Sequence, residues 1–163
     1  MSIDYHLHIS NELPLITLMD NVRTEFSLEK PAHISNILTD GDSLYVYFIE
    51  YDDYEEDQAN YKIKFGMSLN GYISFSFKTN EGEHDKRQKL ICQIIVYVLK
   101  KINGDVFFSY QNDVAYLERR GDILAITPET FVYFSELKDM IDSPYIIKTL
   151  QIIELPDDVD YEE

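Results

Sequence analysis

The chain has 163 residues, 45% of them hydrophobic, with 30 acidic side chains against 14 basic ones and a formal net charge of −16. That length and apolar content make one globular domain with a core of its own, and the charge disfavours nucleic acid and anionic membrane as direct partners. Cys92 is the single cysteine, which excludes an intrachain disulfide and a Cys-based zinc site.

In chain order, Ile3, Tyr5, Leu7 and Ile9 alternate with Ser2, Asp4, His6 and His8. This is the pattern of a half-buried strand, with the two histidines expected on its solvent face. Pro14 suits a first helical turn, and Leu15, Leu18, Met19, Val22 and Phe26 recur at helical spacing. Residues 29–42 read mostly as loop. Ser43 to Tyr51 is a strand with two apolar faces, one of Leu44, Val46 and Phe48, the other of Tyr45, Tyr47, Ile49 and Tyr51. A strand over Tyr61 to Met67, a type I′ turn at Asn70-Gly71 and a strand through Ile73, Phe75 and Phe77 complete an expected three-stranded meander.

A long helix over Glu83 to Asn103 follows, with Leu90, Ile91, Ile94, Ile95, Val98, Leu99 and Ile102 as one apolar stripe. Gly104 is placed to end it in the left-handed conformation. Val106–Tyr110 and Val114–Glu118 form a hairpin around Asn112-Asp113, and Ile123–Ile126 is a short strand. Thr127 and Pro128 open another helix, with Phe131, Phe134, Leu137 and Ile141 facing inward. Residues 145–153 suit either a helix or a strand. The fold class is therefore α+β, a mainly antiparallel sheet of five or more strands with helices on one face. Residues 1–155 form a single domain, and residues 156–163 form an acidic tail expected to be solvated and poorly ordered.

The charge is concentrated. Glu50, Asp52, Asp53, Glu55, Glu56 and Asp57 lie within eight residues, and six more acids lie within the last ten, with no Lys or Arg in either run. The remaining 18 acids nearly balance the 14 bases, so the chain is a mildly acidic domain with two acidic segments that resist burial. The internal run does not make an EF-hand: counted from Asp53, Gln58 and Lys64 stand where Gly and Glu are required. His6 and His8 share a face but have no third ligand at a recognisable spacing. Cys92 lies amid the apolar positions of the long helix, as an inert core thiol does. No Gly-rich phosphate loop and no nucleophile elbow occurs. The sequence nominates no catalytic residue, no metal ligand and no cofactor. Nothing in it marks a signal peptide or a membrane span, so a cytoplasmic location is expected.

Binding remains. Glu50, Tyr51, Asp52, Asp53, Tyr54, Glu55, Glu56 and Asp57 combine carboxylates that accelerate encounter with a basic surface and tyrosines that anchor interfaces.

The pieces Met1-Ser2-Ile3-Asp4-Tyr5-His6-Leu7, the helix from Asp85-Lys86, Gly104-Asp105-Val106-Phe107-Phe108 and Leu117-Glu118-Arg119-Arg120-Gly121-Asp122-Ile123-Leu124 occur in that order. Together they resemble the Sit-type immunity proteins of bacterial polymorphic toxin systems. The resemblance runs through residues 1–126 and leaves out the acidic run and everything after Thr127. It implies a non-enzymatic cytoplasmic protein that binds and neutralises one cognate toxin, and it transfers no catalytic residue. Gly104-Asp105 and Arg119-Arg120-Gly121 have a sufficient reading as turn and hairpin residues. The net charge then points to a basic toxin domain, of which a nuclease is one case. The alternatives are an acidic nucleic-acid mimic that inhibits basic proteins generally, and a small enzyme. A mimic would spread its charge along a surface rather than gather it in two short segments.

Overall fold

A computed structural model of the chain describes residues 2–51 and 66–152. These build one eight-stranded sheet in the order β2-β3-β4-β1-β5-β6-β7-β8. The strands are β1 (Ser2–Ile9), β2 (Ile37–Thr39), β3 (Tyr45–Glu50), β4 (Gly71–Lys78), β5 (Val106–Tyr110), β6 (Val114–Arg120), β7 (Ile123–Ile126) and β8 (Ile146–Ile147). Every pairing is antiparallel except β7 with β8. Among the described residues four helices join them: α1 (Leu15–Phe26), α2 (His84–Lys101), α3 (Thr130–Tyr133) and α4 (Leu137–Met140). The α+β reading, with more than five strands and helices on one face, is what the structure shows.

The main core lies between that helical layer and the sheet. Alternation places Leu7, Ile9, Val46, Phe48, Ile73, Phe75 and Phe108 on one side, against Leu18, Met19 and Val22 of α1 and Ile91, Ile94, Ile95 and Val98 of α2. Tyr5 is a hub on this side, its ring meeting Phe77, Phe108, Tyr110, Tyr116 and Phe134 at centroid distances of 5.0–6.1 Å. Cys92 is buried within this core. The expected helix after Thr127 breaks into two single turns, but Phe134 and Leu137 are buried as its inner face requires.

Residues 29–42 are mostly loop, as expected, with one short strand, Ile37–Thr39, pairing with β3, and a bridge from Glu29 to Thr39. Other local expectations change. Asn70-Gly71 is not a type I′ turn, because neither residue has a positive φ. Gly71 opens β4 and pairs with Glu50, so β3 and β4 are direct neighbours with no strand between them. A Cβ on Gly71 would stand 2.9 Å from the Ile49 carbonyl, so glycine is needed there for close strand approach. Asn70 instead clamps the backbone of Asn11, donating from Nδ2 to its carbonyl (2.6 Å) and accepting from its N–H (3.1 Å). The expected strand over 61–67 lies outside the described residues, apart from Gly66 and Met67. Gly104 does not end α2 in the left-handed conformation. The helix closes at Ile102 in an extended conformation, and Gly104 is small because a Cβ there would collide with the Ser10 carbonyl. For residues 145–153, the described part forms a short strand at Ile146–Ile147 and is irregular from there to Ile152.

Candidate functional site

The second face of the sheet carries the polar and aromatic side chains that the core does not use. Strand alternation sends His6 and His8 there from β1, Tyr72, Ser74 and Ser76 from β4, Tyr45, Tyr47 and Ile49 from β3, and Phe107 and Ser109 from β5. The solvent-face expectation fails for His8, which is 0% exposed. β1 is central rather than peripheral, and a second small cluster of Tyr51, Met67, Leu69 and Phe107 packs over its end.

His8 Nε2 lies 2.7 Å and His6 Nδ1 3.1 Å from Asn112 Oδ1, and the Ser109 hydroxyl donates to the same oxygen at 3.4 Å. An amide oxygen only accepts, so both imidazoles donate to it. The Tyr51 hydroxyl lies 2.6 Å from His8 Nδ1, the other ring nitrogen. The turn that aims Asn112 is the β5–β6 hairpin, where Gln111 and Asn112 both have positive φ, 49° and 63°, and Asp113 N–H closes onto Tyr110 O at 2.9 Å. That is the I′ geometry that Asn favours. The two histidines are thus organised by a side-chain amide. Among the described residues, no three His, Cys, Asp or Glu side chains gather as a metal site would require.

Of the eight residues of the acidic run, Glu50 and Tyr51 are described; Asp52, Asp53, Tyr54, Glu55, Glu56 and Asp57 lie outside the described residues. Glu50 is exposed at the end of β3. Tyr51 is 8% exposed, with its ring in the second cluster and its hydroxyl on His8. It therefore anchors the start of the acidic run to the sheet. Sequence alternation placed Tyr51 on the correct face but could not show its burial, because the residues that cover it come from the distant segment around Met67 and Leu69.

The arginines that carried the resemblance are structural. Arg119 donates to Leu99 O (2.6 Å), Ile102 O (2.7 Å) and Gly104 O (2.9 and 3.2 Å), closing the C-terminus of α2. Burial lowers its pKa, and Asp105 opposes the shift. Arg120 pairs with the buried Glu118 at 2.8 Å and donates to Gly66 O at 2.9 Å. Gly121 turns at φ 59°, its N–H held by Asp105. Burial pushes the Cys92 thiol up to about 12, which leaves no thiolate for nucleophilic chemistry near neutral pH. Arg87, which sequence reasoning passed over, is 2% exposed, with its guanidinium 3.9 Å over the Phe77 ring and Nη1 donating to Glu81 O at 2.7 Å. It ties the start of α2 to β4. Among the described helices, none is long and apolar enough to cross a membrane.

The model of the SitI3-like family matches residues 3–135, from β1 past the end of α3. No curated protein and no solved structure matches the chain significantly. The match covers most of the chain, runs through the acidic run, and extends beyond Thr127. The chain belongs to the SitI3-like family, consistent with the Sit-type immunity proteins of the resemblance.

Proposed function

We propose that this SitI3-like chain binds one cognate toxin domain and neutralises it by non-covalent inhibition, without chemistry of its own. The observation that carries the reading is the family match over residues 3–135. Its support is physical as well. Three titratable groups that sequence reading could offer for chemistry have packing roles: Arg119 holds carbonyls, Glu118 pairs with Arg120, and Cys92 is a neutral thiol. The net charge of −16 favours a basic toxin domain, and a nuclease would supply such a surface. The acidic run from Glu50 to Asp57 is the docking segment of this proposal. Tyr51 holds its root on the sheet, the carboxylates of Asp52, Asp53, Glu55, Glu56 and Asp57 steer encounter, and Tyr54 supplies contact area.

The test pairs protection with kinetics. Co-expression of the chain with the toxin domain encoded beside its gene should restore growth, and the two should co-purify. Neutralising Asp52, Asp53, Glu55 and Glu56 to Asn or Gln should lower the association rate and flatten its salt dependence, since such charges are screened over about 8 Å at physiological ionic strength. An unchanged rate and salt slope would remove the run from the interface. Toxicity undiminished by the chain would remove the function.

A further inference from the structure

The tyrosine face of β3 borders an open concavity. β2 and β3 pair with Ile37 opposite Tyr47 and Thr39 opposite Tyr45, so both tyrosines project from the side of the sheet opposite the helices. The second cluster of Tyr51, Met67, Leu69 and Phe107, with Tyr72 against it, does not include them. The segment between Glu29 and β2 borders the same face, and together they enclose a concavity of about 460 Å³. Tyr45 is 46% and Ile34 43% exposed, a large apolar area left to solvent beside an edge strand.

The lining has a specific chemistry. Two phenol rings offer π faces, Ile34 and Ile37 offer aliphatic surface, and Glu29 adds an exposed carboxylate with no ion pair among the described residues. An arginine or lysine side chain uses all three: its stem on the isoleucines, its cation over a ring, its donors on the carboxylate. Lys30 also borders the concavity, but it is exposed on a flexible stem and can swing clear. The charge of the molecule selects the same occupant. β3 runs from Tyr45 to Glu50, about 17 Å at strand rise, and leads directly into the acidic run. A basic partner drawn to a chain of net charge −16 brings cationic side chains suited to such a lining.

We propose that the concavity lined by Tyr45, Tyr47 and Glu29 seats a protruding arginine or lysine side chain of the cognate toxin. This rests on the immunity reading and supplies the anchoring contact that steering charges do not. Rim charges set the association rate, whereas an aromatic-lined seat sets the dissociation rate.

The experiment measures binding of the full-length chain to the catalytically silenced toxin domain encoded beside its gene. Tyr45→Ala and Tyr47→Ala should each weaken the complex by about 30-fold or more, mostly through faster dissociation. Tyr45→Phe keeps the ring and should stay within about threefold, and Glu29→Lys should weaken binding more than Glu29→Gln, as a cationic occupant requires. Val132→Ala, on the helical side and 75% exposed, should change nothing. Melting curves accompany every variant; if Tyr47→Ala fails to fold, Tyr45→Ala and the two Glu29 variants decide. Wild-type affinity in folded Tyr45→Ala and Glu29→Lys overturns this seat and leaves the immunity reading standing. A wild-type chain that forms no complex overturns both. Self-association of the wild type that Tyr45→Ala abolishes gives the face to a second copy and overturns the proposal.

Discussion

Replacing Arg119 by Met separates a structural arginine from a toxin-binding one. The guanidinium satisfies the carbonyls of Leu99, Ile102 and Gly104 at 2.6–3.2 Å, where α2 has run out of backbone donors. Hydrogen bonds to a charged group contribute about 1.5–3 kcal/mol each, and a cation at a helix C-terminus about 0.3–1 kcal/mol more. The full sum overstates the loss. Arg119 borders a cavity of about 430 Å³, open enough for water to reach the freed carbonyls. Discounting each carbonyl to about 1 kcal/mol leaves a net loss of about 3 kcal/mol. For a chain of this length that lowers the melting temperature by about 6–12 °C. Arg119→Lys keeps the charge but loses the planar fork, and should recover about half. Thermal and urea unfolding measure both. A loss under about 1 kcal/mol for Arg119→Met would refute the capping argument. A folded variant whose toxin affinity drops while its stability holds would make Arg119 a contact residue.

Three further outcomes follow from the same structure. Gly104→Ala should destabilise by about 2 kcal/mol or more, because its Cβ meets the backbone carbonyl of Ser10 rather than a side chain that can move; an unchanged urea midpoint would refute this. Deleting residues 157–163 should change stability by less than about 1 kcal/mol and leave toxin protection intact, since that stretch holds few apolar groups to bury. Stability should fall as pH rises from about 9. Cys92 is raised from 9.0 to about 12 and Tyr116 from 10.0 to about 12, both chiefly by burial, so the unfolded chain releases these protons first and is favoured at alkaline pH. Their stabilisation is fully present below pH 9 and fades as pH approaches 12. Melting temperatures from pH 7 to 11 check the sign, and a flat profile for wild type would refute it.

The elements whose signals are local were legible in the sequence. β1, α1, α2 and the β5–β6 hairpin follow from alternation, helical spacing and a turn signal at Asn112, although the turn centres on Gln111-Asn112, one residue before the expected Asn112-Asp113. What local signals could not show was which backbones approach from afar. Asn70-Gly71 carries a strong turn signature, yet Gly71 lies under the Ile49 carbonyl and Asn70 holds Asn11, 59 positions away. Gly104 looked like a helix stop and is a close-approach glycine against Ser10. His8 looked exposed because alternation gives a face but not its cover, and the cover comes from Tyr51, Tyr72 and Asn112.

The same distinction bears on the candidate site. The acidic run announces itself by composition, and composition speaks to long-range attraction, which is non-directional and screened by salt. Specificity for one toxin needs directional, desolvated contacts, and those depend on cross-strand neighbours that no window of sequence shows. Tyr45 and Tyr47 lie two residues apart in β3, but Ile37 opposite Tyr47 and Glu29 beside them come from a segment that reads as loop. Tyr51, four residues beyond Tyr47 on the same strand line, is buried against His8 and ties the start of the acidic run to the sheet. β3 thus joins both proposed halves of recognition: steering carboxylates beyond its C-terminal end and an aromatic seat along its open face. Neutralising the run should therefore slow association and leave dissociation nearly unchanged, whereas Tyr45→Ala should do the reverse. Combining the two changes should add in free energy, because one acts on association and the other on dissociation. A coupling energy above about 0.5 kcal/mol in that double-mutant cycle would mean that the run folds over the tyrosines, and that the two halves are one contact.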